Sequence, residues 1–265
     1  MTAPAPLLLG LVDDAAPLLP GAADLSSVVA QHREHRSGRF EPCLAALGVR
    51  DQQLSELGRH EAAAGLPVLA VNTSGAGGLA ALGRRTITGV QLVAVQSAIR
   101  DLDDLAGNAA RVVSAAGELP ESVEVYVELP YAPGWQRALE VVEAAGVYGT
   151  VRALACDGGG AAGGGGHGLG SDHELVQQLH ALVEADLPFA VAGWDRSLAA
   201  LLLAVHGLVE EAPPDEVVSM LADPGAAVVV SQWDDSDAAR VRRRLRRVQC
   251  RDLAASTAEL AGLLD

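Results

Sequence analysis

The sequence contains no lysine; all 19 of its Lys+Arg positions are arginine. Lysine is the side chain that forms Schiff bases, and a compact ammonium is hard to replace. Its absence excludes lysine-dependent aldolases, pyridoxal-phosphate enzymes and nucleotidases built on a P-loop lysine. An Ala-, Gly- and Arg-rich chain is what a GC-rich genome writes, and the exclusion holds whatever the cause. Aromatic residues are also scarce, at 3% of a chain that is 49% hydrophobic, so the core must be built from Ala, Val and Leu. Small residues of that kind suit helices packed closely on a parallel sheet.

Other absences narrow the class. Cys43, Cys156 and Cys250 are odd in number, widely spaced and form no CxxC pair, so neither a zinc site nor a disulfide framework is indicated. Residues 1–21 lack a basic leader, and their short apolar run is cut by Asp13 and Asp14, unlike a signal peptide. The longest apolar stretch, 198–209, contains His206 and is too short to cross a bilayer. A formal charge of −15 would repel a phosphate backbone, which argues against nucleic acid as a partner. The expectation is a cytoplasmic protein without a membrane partner.

What is present is an alternation. Apolar or β-branched runs at 7–12, 43–49, 67–73, 88–96, 123–129, 150–156, 188–194 and 226–232 read as strands. Amphipathic segments lie between them. Asp24 or Ser26 starts the run to His35, Asp51 precedes 52–64, Asp101 precedes 102–116, and Ser171 with Glu174 forms a capping box before 175–185. Gly65, Gly117 and Gly146 stand at helix C-cap positions. Eight strands alternating with helices predict an α/β fold, a (β/α)8 TIM-barrel-like single domain over 1–265. The rival is an open doubly wound parallel sheet. Its dinucleotide fingerprint is missing, because the first strand-to-helix turn, 13–17, carries proline rather than glycines. Two departures from a plain barrel are an extra helical stretch over 196–221 and a Gly-rich link, 74–83, too short for a full third helix.

A barrel carries its chemistry at the C-terminal ends of its strands. Those ends hold Asp13 and Asp14, Arg50 and Asp51, Asn72, Gln96, Glu128, Cys156 and Asp157, Trp194 and Asp195, then Gln232, Trp233 and Asp234. Asp51 and Asp234 read as helix caps. Asp13, Glu128 and Asp157 are the candidate catalytic carboxylates, able to act as acid and base or to hold a divalent metal through oxygen. Asn72, Gln96, His167, Trp194, Asp195 and Trp233 are the candidate ligand-binding residues. Over 123–129 the period is two, which sets Glu124, Tyr126 and Glu128 on one face, looking into the barrel with Glu128 near the mouth.

Two segments carry a strong compositional signal. Residues 157–173 hold nine glycines with His167, Asp172 and His173, and read as a flexible loop; phosphate wrapping and metal ligation are the functional alternatives. Residues 238–251 read as an Arg-rich helix, its acids at Asp234, Asp235 and Asp237 and its bases toward the end suiting the macrodipole. His32 and His35 read as surface groups on the first helix, and His206 as a hydrogen-bonded core or boundary histidine.

Several segments, in order, resemble a family of uncharacterised bacterial proteins. That family has a D-x-A-x-x-F-P-P turn, matched here by 13–21, followed by a helix bearing the His-x-x-His-Arg of 32–36. Its later Arg-x-Gly-Gly turn, P-F-K-A-T-A-G-L-H-H strand and Cys-containing close match 156–159, 188–195 and 250–264. The departures fall on polar positions: the family's lysine aligns with Ala190, its paired histidines with Trp194 and Asp195, and its turn arginine with Cys156. The resemblance implies a barrel-like fold from which any chemistry using that lysine and those histidines has been lost.

Two readings follow. The first is a catalytically degenerate barrel that binds a small molecule or a partner protein, with no cofactor. The second is a metal-assisted lyase or hydrolase acting on a small polar substrate at the C-terminal face, with Asp13, Glu128, Asp157 and His167 as ligands or acid–base groups. The sequence assigns no oligomeric state.

Overall fold

The computed structural model describes residues 5–19, 21–39, 41–153 and 171–260. The chain opens with a short helix α1 (Ala5–Leu8), then β1 (Val12–Asp14), α2 (Leu25–Ser37), β2 (Leu44–Arg50) and α3 (Leu54–Leu57). Next come β3 (Pro67–Asn72), α4 (Gly75–Gly83), β4 (Gln91–Ala98), α5 (Leu105–Ala116), β5 (Glu124–Glu128) and α6 (Trp135–Ala144). The last third holds β6 (Tyr148–Arg152), α7 (Asp172–Glu184), β7 (Phe189–Trp194), α8 (Leu198–Val209), α9 (Pro214–Met220) and α10 (Ala226–Val230). It closes with α11 (Asp235–Arg244), β8 (Leu245–Cys250) and α12 (Leu253–Thr257).

The eight strands pair in sequence order, all parallel, and β1 pairs with β8 through Val12↔Val248, Asp13↔Gln249 and Asp14↔Cys250. That last pairing closes the sheet, so the fold is a (β/α)8 barrel and the open doubly wound alternative is excluded. Ala46, Leu69, Ala94, Tyr126 and Ala190, from five different strands, form a cluster separate from the main core. Side chains of five strands can meet only across the barrel axis, so this cluster is the interior layer. Alanines at three of the five positions leave room for the Tyr126 ring, which lies 4.9 Å from that of Tyr148. The outer core is Leu-, Val- and Ala-rich, and α8 is buried along nearly its whole length. A helix apolar all round belongs inside, which explains the long hydrophobic run. Among the described residues no helix is long and apolar enough to cross a membrane.

Several expectations are corrected. The run 226–232 is not the eighth strand: 226–230 is helix α10, with Val228 and Val229 exposed. The eighth strand comes instead from the Arg-rich stretch, whose helix stops at Arg244 rather than continuing to 251. Arginine favours helix locally, but Arg247 and Gln249 find partners inside the barrel, and tertiary pairing overrides propensity. The first strand is only 12–14, since 5–8 turn as α1. The Gly-rich link 74–83 is itself helix α4, and the expected helix over 52–64 breaks into short turns around α3.

Other details stand. Asp24 caps α2, Ser171 and Glu174 form their capping box, and Asp234 caps α11. The cap of α5 is Asp104 rather than Asp101. Gly65 and Gly146 adopt left-handed φ of 73° and 67°.

Candidate functional site

Alternation along β5 turns Glu124, Tyr126 and Glu128 toward the axis, and two arginine-centred networks meet them there. Toward the N-terminal ends of the strands, Arg247 donates from Nε to Glu124 (2.9 Å) and from Nη1 to Asp13 (2.8 Å), while Tyr126 donates its hydroxyl to Glu124 (3.0 Å). Nearer the mouth, Arg152 grips Glu128 with two bonds (2.9 and 2.7 Å), and Gln96 donates to the same carboxylate (2.8 Å). Gln249 in turn donates to Gln96. Burial opposes ionisation of Glu128, yet the Arg152 guanidinium and the Gln96 amide hold its pKa below the usual range. Burial pushes Asp13 up to about 6 against the attraction of Arg247. One guanidinium is shared between Asp13 and Glu124, and Asp13 Oδ2 is buried with no hydrogen-bond partner. Glu124 has Arg246 as well and stays ionised, its pKa lowered by these arginines despite burial.

A different cluster lies on the other side of the β1 wall. Asp14 Oδ2 is 3.0 Å from His32 Nδ1 and 3.3 Å from His35 Nδ1. The two histidines are one helical turn apart on α2 and so share a face. A carboxylate only accepts, so each imidazole presents Nδ1–H to it. Burial would raise the Asp14 pKa, but the bonds from His32 and His35 overcome it and hold the carboxyl far below its ordinary value. The hydrogen bond to Asp14 raises the His35 pKa in return. His32 is completely buried and its Nε2 has no partner, while His35 is half-buried. Neither is a surface group, as the sequence reading expected. The His-x-x-His spacing beside a strand-end carboxylate was the available signal.

Asp14 and His35 border an opening of about 410 Å³ at the C-terminal ends of β1, β7 and β8, faced by Asp195, Arg251 and Asp252. Arg251 and Asp195 stand 3.8 Å apart. Gly193 lets the guanidinium approach: its φ is +73°, and a Cβ there would lie 3.2 Å from Arg251 Nη2. The opening thus combines one fixed cation, one imidazole and three carboxylates, with His32 buried behind Asp14.

Of the candidate residues, Asp13, Gln96 and Glu128 face the barrel interior, and Asp195 borders the opening. Asn72 is a turn-former at the end of β3: its amide donates to Gly75 O (2.8 Å) and Ser97 Oγ (2.9 Å), and its oxygen accepts from Ser74 N–H (3.0 Å). Trp194 is wholly buried in the outer core and donates Nε1–H to Ser197 O, away from the opening at the mouth. Trp233 is likewise in the outer core, stacked 4.6 Å from His206, because 226–232 is not a strand ending at the mouth. Asp157 and His167 lie outside the described residues, as does most of the Gly-rich loop. Among the described residues no three His, Cys, Asp or Glu side chains are arranged to hold a metal ion.

No protein-family model matches the chain, and no curated protein matches it. Solved structures that follow a similar course include a 7,8-dihydropteroate synthase from Vibrio fischeri ES114, 10% identical over 98% of this chain and 96% of that one, with a TM-score of 0.46. The dihydropteroate synthase of Yersinia pestis is 14% identical over 97% and 92% of the two chains, TM-score 0.44. That of Xanthomonas albilineans, in complex with 7,8-dihydropteroate, is 15% identical over 96% and 92%, TM-score 0.42. Likenesses this distant carry no argument about chemistry, and the barrel rests on its own strand pairing.

Proposed function

We propose that this chain is a non-catalytic barrel that binds a small polar molecule at the β1–β7–β8 sector of its mouth, without a metal or organic cofactor. The observation that carries this reading is that Asp14 and His35, backed by the buried His32, border the same opening as Arg251. The His35 imidazole and the Arg251 guanidinium offer directed donors, and the three carboxylates offer acceptors, which suits a ligand with both anionic and donor groups.

The barrel axis supports the non-catalytic part. Asp13 and Glu128 are each engaged by an arginine, and a metal or substrate at either would have to displace it. Ala190, where the resembling family has lysine, is the register partner of Arg247. The cation missing from β7 is therefore offered from β8, as a guanidinium locked between two carboxylates. Arginine does not deprotonate in proteins, so it cannot replace lysine as base or Schiff-base former.

The test is saturation-transfer NMR against a mixture of small carboxylic acids, phosphates and amines, repeated with Arg251→Ala and Glu128→Gln. The expected result is a ligand whose affinity falls at least tenfold in Arg251→Ala and holds in Glu128→Gln. The reverse pattern would move the site to the barrel axis. A stoichiometric metal lost in Glu128→Gln would establish the metal-assisted lyase or hydrolase instead.

A further inference from the structure

The opposite end of the barrel carries a second cavity. The segment after α3 and the segment before β4 both lie where chain enters strands, at the N-terminal end of the barrel. Together they line a depression of about 210 Å³, open to solvent along its exposed polar residues. Its polar lining is two arginines, Arg59 and Arg85, and three hydroxyls, Ser55, Thr86 and Thr88, with Leu54 and Ile87 as apolar walls. No carboxylate lines it, in a chain of formal charge −15.

The pairing of arginines elsewhere makes this cavity stand out. Arg84, the residue before Arg85, pairs with Glu118 at 3.6 Å. Arg85 instead donates to Ser55 Oγ, which holds its guanidinium across the cavity, and among the described residues neither Arg59 nor Arg85 has a carboxylate partner. The walls are also fixed. A side chain on Gly58 would collide with the Thr88 carbonyl, and one on Gly89, whose φ is +82°, would collide with Gly58. Gly65 N–H closes the same junction on Gly89 O at 2.8 Å. The two segments are thus pressed backbone to backbone, so the exposed cationic and hydroxyl groups project from a fixed main-chain frame.

We propose that Arg59, Arg85, Ser55, Thr86 and Thr88 form a binding site for a phosphate-type oxyanion. Guanidinium forks match tetrahedral oxyanions bidentately, and hydroxyls donate to the remaining oxygens. The shared chemistry is a phosphate group, free or on a small organic molecule. This site is independent of the one at the mouth.

The experiment is calorimetric titration of the full chain at low ionic strength with inorganic phosphate, with glycerol 3-phosphate, and with sodium chloride at matched ionic strength. Saturable binding of either phosphate, absent for chloride, is expected. It should weaken at least tenfold in Arg59→Gln and in Arg85→Gln, and stay unchanged in Arg84→Gln. Tighter binding of glycerol 3-phosphate identifies an organic phosphate as the ligand, and equal binding identifies the free ion. No saturation by either, equal heats from chloride, or insensitivity to both substitutions in a chain with unchanged melting temperature would overturn the proposal.

Discussion

Asp13 and Asp14 are consecutive residues of β1, both buried, yet their carboxyls are shifted in opposite directions. Strand alternation sends Asp13 into the barrel and Asp14 toward α2. Burial penalises both charges. Asp13 answers it with a share of one guanidinium and the Ala46 backbone N–H, and leaves Oδ2 unpaired; Asp14 answers it with two imidazole N–H groups. The count of donors committed to each carboxylate, set against the cost of its burial, decides which stays ionised. The same count separates a barrel axis whose charges are internally neutralised from a mouth sector with groups to offer a ligand.

The sharpest way to break the comparison is to remove the cation that the axis depends on. Arg247→Met leaves the buried Asp13 without its guanidinium and the half-buried Glu124 with only Arg246 and Tyr126, and should cost about 3–5 kcal/mol, read from urea unfolding at pH 7. Loss of under about 1 kcal/mol would show that water reaches the axis and that its charges are not sealed.

The second test uses pH. Asp13 binds its proton more tightly in the folded chain than in the unfolded one, so its contribution to stability falls as pH rises from about 4 through 6. Asp13→Asn should flatten that slope, a change of about 3 kcal/mol between pH 4 and pH 7. Asp14 has the opposite sign: its contribution is complete above its ordinary value of 3.8 and is lost only as pH falls below it. Its partner His35, raised above 6.5, contributes below that pH, and this part is lost as pH climbs through the folded value. Asp14→Asn should therefore steepen nothing between pH 4 and 6, and an identical effect of the two substitutions there would erase the distinction between the faces.

Removing one donor from Asp14 is a smaller perturbation. His32→Leu deletes a charge-assisted hydrogen bond from a buried carboxylate and should cost about 1–3 kcal/mol. The acid limb of the unfolding curve should also move to higher pH; a stability loss without that movement would reduce His32 to packing. The smallest effect is at the mouth. Gly193→Ala sets a side chain at φ +73° beside Arg251, at a cost of about 1 kcal/mol. It should weaken ligand binding more than it lowers the melting temperature, and the converse would detach Arg251 from the site.

Much of this was legible in sequence, and the misreadings have physical causes. Six of the eight strands fall within a few residues of their apolar runs, and the inward face of β5 followed from its period of two. The eighth strand was hidden because its inward residues, Arg247 and Gln249, are polar. A strand that faces a polar interior lacks the apolar signal by which strands are recognised. Val228 and Val229 misled for the opposite reason, being apolar and exposed. His32 looked like a surface residue because its partner, Asp14, lies 18 positions away and is brought to it only when α2 packs on β1.

The sequence by itself determined the barrel's periodicity, the caps of its helices, and a chemistry without lysine. Those properties are written in local spacing and residue identity, which need no partner to be read. Only the tertiary structure decided which carboxylates are neutralised and which meet imidazoles. It also decided that Ala190 of β7 pairs in register with Arg247 of β8, and that Arg59 and Arg85 line one depression. Such outcomes depend on which strands become neighbours when the sheet closes, and closure is a property of all eight strands together.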